Sequence, residues 1–314
     1  MVSQKLSWFL TPILFALVLP NLLSGQANLP AGSNKELVTM TVTVRSRAGE
    51  YATGLNRDAF QITDDKETRA VEFFDSSNAP LSIGILVDTS GSMGHGDLNA
   101  AGRADQIGEG LARFLELANG KNQYFLLAFD RTPHLLTDWT TADNLLSRKT
   151  SIEEPHHNTA MYDACFAGIE KLDGGSHAKR ALILISDGYD NLSRHSLGDL
   201  RRLLRSRDVL LYAIAPKHGD DIGSTVDVDG LSVLEELAEI TGGVAFVVEN
   251  GKQLRGVLEL IAAELRQQYR LGFLADNASA EKKWHRLKVT VDPTKTGTVS
   301  TKISIRTRQG YYTR

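Results

Sequence analysis

Between residues 88 and 92 the chain reads Asp88-Thr89-Ser90-Gly91-Ser92. One carboxylate and two hydroxyls converge within this short loop, and the glycine lets it turn tightly. All three are hard oxygen donors of the kind that Mg2+, Ca2+ and Mn2+ take. Two more oxygens fit the same chemistry: Thr159, in Asn158-Thr159-Ala160-Met161, and Asp187, which opens Asp187-Gly188-Tyr189-Asp190-Asn191. A D-x-S-x-S run alone also serves as a turn or a helix cap, and Thr159 alone suits an N-cap. Together, Asp88, Ser90, Ser92, Thr159 and Asp187 make a candidate site for a divalent cation. Mg2+ leads; the donors accept Ca2+ or Mn2+ as well.

Such a site needs elements that bring three separate loops to one place. Leu81–Asp88 (LSIGILVD) is almost continuously apolar, the pattern of a strand buried on both faces of a parallel sheet. Residues 122–129, 180–186, 209–215 and 244–248 read as further strands, and 134–138 as a short edge strand. Between them, residues 98–118, 159–172, 197–206, 231–241 and 251–268 read as helices. Alternation of this kind predicts an α/β fold, a doubly wound, mostly parallel sheet with helices on both faces. Ligands in such sheets bind at the carboxyl ends of the strands. Asp88 and Asp187 each follow a buried strand there.

The flanks differ. Residues 37–45 (LVTMTVTVR), 59–63 and 69–74, with Asp64-Asp65-Lys66 as a turn, read as strands before the α/β segment. Residues 269–274, 284–291 and 298–306 read as strands after it. Neither group buries a face alone. Residues 35–78 and 269–314 are therefore expected to form one small all-β domain from both chain ends, with the α/β domain, 79–268, inserted between them. Residues 28–34 read as a loose lead-in.

Met1–Ala27 has a charged start at Lys5, an apolar run over 9–19, and small residues at Gly25 and Ala27. This is the pattern of a secretory signal peptide cut after Ala27, which predicts a secreted, periplasmic or cell-surface protein without a membrane span in its mature form. The 314 residues include 35 Lys+Arg and 38 Asp+Glu, a net charge of -3. No basic excess points to nucleic acid. The single cysteine, Cys165, excludes an intrachain disulfide and reads as a small apolar residue inside a helix.

The run LVDTSGSM, the NTAMYDA segment and Thr241-Gly242-Gly243 together resemble a von Willebrand factor A (integrin I-like) domain with a metal-ion-dependent adhesion site. The resemblance covers about residues 80–268. It implies that Ser90, Ser92 and Thr159 bind the ion directly, and that Asp88 and Asp187 do so directly or through water. It also implies a coordination position filled by an Asp or Glu of a protein partner. The flanking GLNRDAFQITDD, YRLGF and RQGYY are similar to a bacterial, Acidobacteria-type subgroup of secreted proteins carrying this domain.

Other residues have two readings. Asp190, Asn191 and Asp130 lie close enough in sequence to the rim to orient it, or they simply build its loops. His95, His156 and His157 lack a spacing suited to zinc. The acidic stretch 218–230 lacks EF-hand spacing and reads as a solvated loop. Trp284, Tyr311 and Tyr312 read as core or edge cover. The expected function is a metal-dependent protein-binding module and not an enzyme. Two alternatives stay open. One is an envelope protein in which the metal only stabilises the fold. The other is a Mg2+-dependent phosphatase of the HAD type, which Ser90 opposes because a second acid is usual there.

Overall fold

The computed structural model describes residues 35–76, 78–94, 102–147, 158–217, 225–276, 283–295 and 303–313. The expected signal peptide, the lead-in, His95, His156 and His157 lie outside them.

The α/β segment is built from β5 (Leu81–Asp88), α1 (Arg103–Leu117), β6 (Gln123–Phe129), β7 (Pro133–Thr140), α2 (Ala142–Leu146), α3 (Met161–Asp173), β8 (Lys179–Ile185), α4 (Leu197–Arg205), β9 (Leu210–Pro216), α5 (Thr225–Thr241), β10 (Val244–Val248) and α6 (Gly251–Arg266). Its six strands lie in the order β10-β9-β8-β5-β6-β7. All pairs are parallel except β6–β7. This is the expected doubly wound α/β fold. Every residue of β5 is buried, and alternation sends its side chains to two cores. Ile83, Ile85 and Val87 pack with α1 and α6, and Leu86 packs with α3, α4 and α5. The chain leaves β5 toward β6 on one side and returns as β8 on the other. The carboxyl end of β5 is therefore the switch point, where a crevice opens.

The flanks form β1 (Lys35–Ser46), β2 (Phe60–Asp64), β3 (Glu67–Arg69) and β4 (Phe73–Asp75) before the α/β segment, and β11 (Tyr269–Asp276), β12 (Trp284–Val291), β13 (Ile303–Arg306) and β14 (Gly310–Tyr312) after it. They build two four-stranded antiparallel sheets, β13-β1-β11-β4 and β14-β12-β2-β3. In each, strands from both ends of the chain pair, β1 with β11 and β2 with β12. Met40, Val42 and Phe273 of one sheet share a core with Ile62, Leu287 and Val289 of the other.

Three local expectations are corrected. Residues 69–74 are not one strand: the chain changes sheets after Arg69, where the Glu72 amide bonds to the Gly272 carbonyl, 2.8 Å. The acidic stretch is not a loop throughout, since α5 begins at Thr225 and takes in Asp227 and Asp229. Thr159 does not cap its helix. Ala160 holds that position, and no side chain caps it.

The seam between the β-sheets and the α/β layer is polar and buried. Glu264, in the last turn of α6, is 3% exposed. It accepts from Tyr212 (2.7 Å), Tyr51 (3.2 Å) and Arg306 (2.5 Å). Gln268 donates to Thr43 Oγ1 (3.0 Å) and to the Tyr212 hydroxyl (2.9 Å). Lys179, at the start of β8, lies under the end of α6 and donates to the Leu265 carbonyl, 3.2 Å. Burial pushes its ammonium down from the ordinary 10.5 to about 8. Between those values the unfolded chain binds the proton and the folded chain does not. Stability should therefore rise as pH climbs from about 8 toward the unfolded value near 10.4. Lys179→Met should remove that rise and stabilise the chain at pH 7. Urea unfolding at pH 7 and pH 10 checks both, and equal slopes for the two proteins would contradict the assignment.

Candidate metal centre at the sheet rim

Asp88 is the last residue of β5 and is fully buried, as is Ser90. The Ser90 amide donates to Asp88 Oδ1 at 2.8 Å, and the Ser90 and Ser92 hydroxyls lie 3.0 Å apart. These contacts fold the D-x-S-x-S segment into one oxygen-lined loop. Thr89, between them, turns the other way: its amide and hydroxyl both bond to the Phe129 carbonyl (2.8 and 3.0 Å), tying the loop to β6.

Asp187 follows β8 and is 4% exposed. Its Oδ1 accepts from the Tyr189 amide, 3.1 Å, an Asx turn that fixes the side chain. Gly188, at φ +88°, makes the turn possible. A Cβ on Gly188 would stand 2.2 Å from the Gly230 carbonyl, and one on Gly230 would stand 2.4 Å from the Asp187 carbonyl. Two glycines thus let α5 pack directly against the loop that carries Asp187.

Thr159 is 2% exposed and lies just before α3. Its amide donates to Asn191 Oδ1 (2.9 Å), and its carbonyl accepts from the amides of Asn191 and Leu192 (3.0 and 3.1 Å). Asp190 accepts from the Tyr162 amide, 2.8 Å, at the first turn of α3. The Asp130 carbonyl accepts from the Ala160 amide, 2.6 Å. Asp190, Asn191 and Asp130 therefore hold the Thr159 segment against the Asp187 loop and the end of β6. The chain brings its three donor loops together at one rim.

Sequence reasoning missed Ser186. Its hydroxyl donates to Asp88 Oδ2 at 2.7 Å and accepts from the Gly188 amide, 3.2 Å. It thereby links the end of β5 to the Asp187 turn. The available signal was its place as the first polar residue after the apolar run Ala181–Ile185. The Gly188–Gly230 contact left no signal, because it joins residues far apart in the chain. Cys165 is buried, as expected, and burial pushes its thiol up to about 12.

The electrostatics fit a cation. Burial, and after it the nearby charge of Asp187, pushes the Asp88 carboxyl up to about 7, against the hydrogen bonds of Ser90 and Ser186. Hydroxyls and amides surround Asp88, and the charge that acts on it is another acid. Two acids crowded in a buried place among hydroxyl oxygens are destabilised without positive charge and form a fitting set for a hard dication.

Residues 83–189, a stretch that holds all five candidate donors, match the family model of the von Willebrand factor type A domain. The α/β unit has the von Willebrand factor type A fold. Among solved structures, this A-type unit is similar to proximal thread matrix protein 1 from the mussel byssus. The identity is 16% and the TM-score 0.51, over 65% of this chain and 50% of that one. This chain thus spans about half the length of the mussel protein. A second structure of that protein, with a zinc-occupied MIDAS motif, matches with TM-score 0.50 and 16% identity over the same shares, 65% and 50%. A von Willebrand factor type A protein from Catenulispora acidiphila is 11% identical over 88% of this chain and 75% of its own, with TM-score 0.46. No curated protein matches the sequence.

Proposed function

We propose that the A-type unit is a metal-dependent adhesion module, exported from the cell, that binds a protein partner through a cation at the rim. The observation that carries this reading is the buried pair Asp88 and Asp187 among the hydroxyls of Ser90 and Ser92, on loops tied to Thr159. Ser90, Ser92 and Thr159 would hold the ion directly, with Asp88 and Asp187 holding it directly or through water. Bound there, a dication supplies an electrophilic centre that accepts one more oxygen from outside. The chain's own residues prepare that step. Neutral hydroxyls leave the site short of negative charge, and the Asn191 and Ser186 bonds fix its loops in advance. A partner Asp or Glu is the fitting anion.

Mg2+ is the proposed ion. Ca2+, Mn2+ and the zinc found on the mussel neighbour's motif are the other dications that such a rim takes. The hydroxyl of Ser90 occupies the place of a second acid and is bonded to Ser92, which favours binding over acid–base catalysis. Export rests on the leader-like Met1–Ala27. Among the described residues no helix is long and apolar enough to cross a membrane.

The test is capture of envelope proteins by the immobilised chain, in Mg2+ and in EDTA. A partner should be retained in Mg2+, released by EDTA and missed by Ser90→Ala. Neutralising the Asp and Glu side chains of its contact patch should abolish capture. Equal capture in EDTA would refute the adhesive reading.

A further inference from the structure

A second cluster of metal-ligating side chains lies in the β-sheets, formed by residues far from the rim motif in sequence. Asp64 ends β2, Asp65 opens the turn after it, and β12 brings His285 beside them. One ligand atom from each of the three lies within 4.8 Å of the other two. His285 Nδ1 is 3.2 Å from Asp65 Oδ2 and 3.6 Å from Asp64 Oδ1.

Asp64 is 3% exposed. Its Oδ2 is well served, by Arg69 Nη2 (3.2 Å), Arg69 Nε (3.3 Å) and the Tyr311 hydroxyl (3.3 Å). Its Oδ1 is buried, makes no hydrogen bond, and faces His285. A buried carboxylate oxygen left this way is costly and asks for a ligand. A single Nδ1 proton on His285 cannot serve both Asp64 and Asp65. One cation in the middle serves all three.

The surroundings are built to hold these groups still. The imidazole stacks on Tyr311, with centroids 5.1 Å apart. Asp65 sits in the left-handed region, φ 54°, and is clamped by two bonds: its amide to the Arg286 carbonyl (2.8 Å) and its Oδ1 from the Arg286 amide (2.9 Å). The cluster opens on a cavity of about 670 Å3, which gives an ion a way in and water a place to complete its shell.

We propose that Asp64, Asp65 and His285 form a second cation site, for a zinc-class transition dication, that staples the strands from the two ends of the chain. The geometry admits a tetrahedral ion and the ligand types favour zinc. Tetrahedral zinc, with bonds of about 2.0–2.1 Å, sets its ligands roughly 3.3 Å apart. The 3.2 and 3.6 Å from His285 Nδ1 to the two carboxylate oxygens lie on either side of that value. An imidazole with two carboxylates suits zinc better than Mg2+ or Ca2+. The other charged groups lining the cavity, Lys66, Glu67, Arg69, Lys283 and Arg286, are net cationic, so the hold on the ion must come from the three ligand atoms themselves. Arg69 and Tyr311 would orient Asp64 from behind.

The test uses the full chain with Zn2+ alone as the probe. The Asp88→Asn variant, with the rim site removed, should still bind one Zn2+ by calorimetry. Adding His285→Gln should weaken that binding by at least about 100-fold. In the unmutated chain, Zn2+ should shift the His285 Nδ1 resonance in NMR and Mg2+ should not, a readout that no folding defect disturbs. An unmoved His285 resonance at saturating Zn2+, or equal Zn2+ binding by the single and double variants, would overturn the proposal and leave an ion pair only. Failure of the rim site would leave all of these results unchanged.

Discussion

Asp88→Asn should raise the unfolding temperature of the chain in EDTA and abolish the rise that Mg2+ gives the unmutated protein. The two effects have opposite signs, and that is the value of the experiment. In EDTA, Asp88 is a buried acid beside a second acid, pushed up to about 7 by burial and by Asp187. An amide of the same shape keeps one acceptor oxygen, for the Ser90 amide, and puts an NH2 where Oδ2 accepted from Ser186. That hydroxyl can turn to accept from it and donate toward Met161 Sδ, and the charge is gone. With Mg2+ at about 100 times its dissociation constant, the unmutated chain should gain about 2.7 kcal/mol, equivalent to roughly 5–10 °C. The variant should gain almost nothing. Scanning calorimetry with and without Mg2+ decides the matter. A variant less stable than the parent in EDTA would mean that Asp88 is a structural acid. Equal Mg2+ gains in both would mean that the ion binds elsewhere.

Glu264→Ala should cost about 3–5 kcal/mol in urea unfolding, the range for removing one partner of a buried ion pair. Four donors meet that carboxylate, the Thr43 hydroxyl of β1 at 3.4 Å among them. Tyr212 lies beneath it on β9, Tyr51 comes from the segment after β1, and Arg306 from β13. Without Glu264, the fully buried Tyr212 hydroxyl loses its acceptor, and the half-buried Arg306 guanidinium keeps only the Gly243 carbonyl and loses its counter-charge. Gln268, on the same hydroxyl and on Thr43, would lose its support as well. Glu264→Gln should cost less, because an acceptor oxygen remains. A loss under 1 kcal/mol for the alanine variant would show that the apolar contacts hold the layers together unaided. Because the network joins α6 to both flanking segments, its loss should also speed hydrogen exchange in the last turns of α6.

The rim was legible because its information is local. A D-x-S-x-S loop needs only five consecutive residues, and a strand buried on both faces announces itself as an apolar run. Asp88, Ser90 and Ser92 could therefore be placed at a strand end from the sequence. Asp187 was placed the same way, by the run that precedes it. Thr159 was placed near the rim as a candidate ligand, with helix capping as its other reading, and the structure removes that other reading. Its position is set by Asn191 and by the Asp130 carbonyl, partners that only the folded chain brings near.

The sequence by itself determined the α/β alternation, the all-β character of both chain ends and the strand-end places of Asp88 and Asp187. Each follows from side-chain periodicity or from donor chemistry within a short window. Tertiary structure alone decided how residues 67–75 divide between two sheets and where α5 begins. It also decided that Gly188 meets Gly230, that Ser186 bonds to Asp88, and that Glu264 binds both flanks to the last helix. The Asp64, Asp65 and His285 cluster belongs with these: its aspartates and its histidine lie on opposite sides of the inserted α/β unit. No local pattern encodes such contacts, because their energy comes from burial and hydrogen bonding between segments that meet only once the chain has folded.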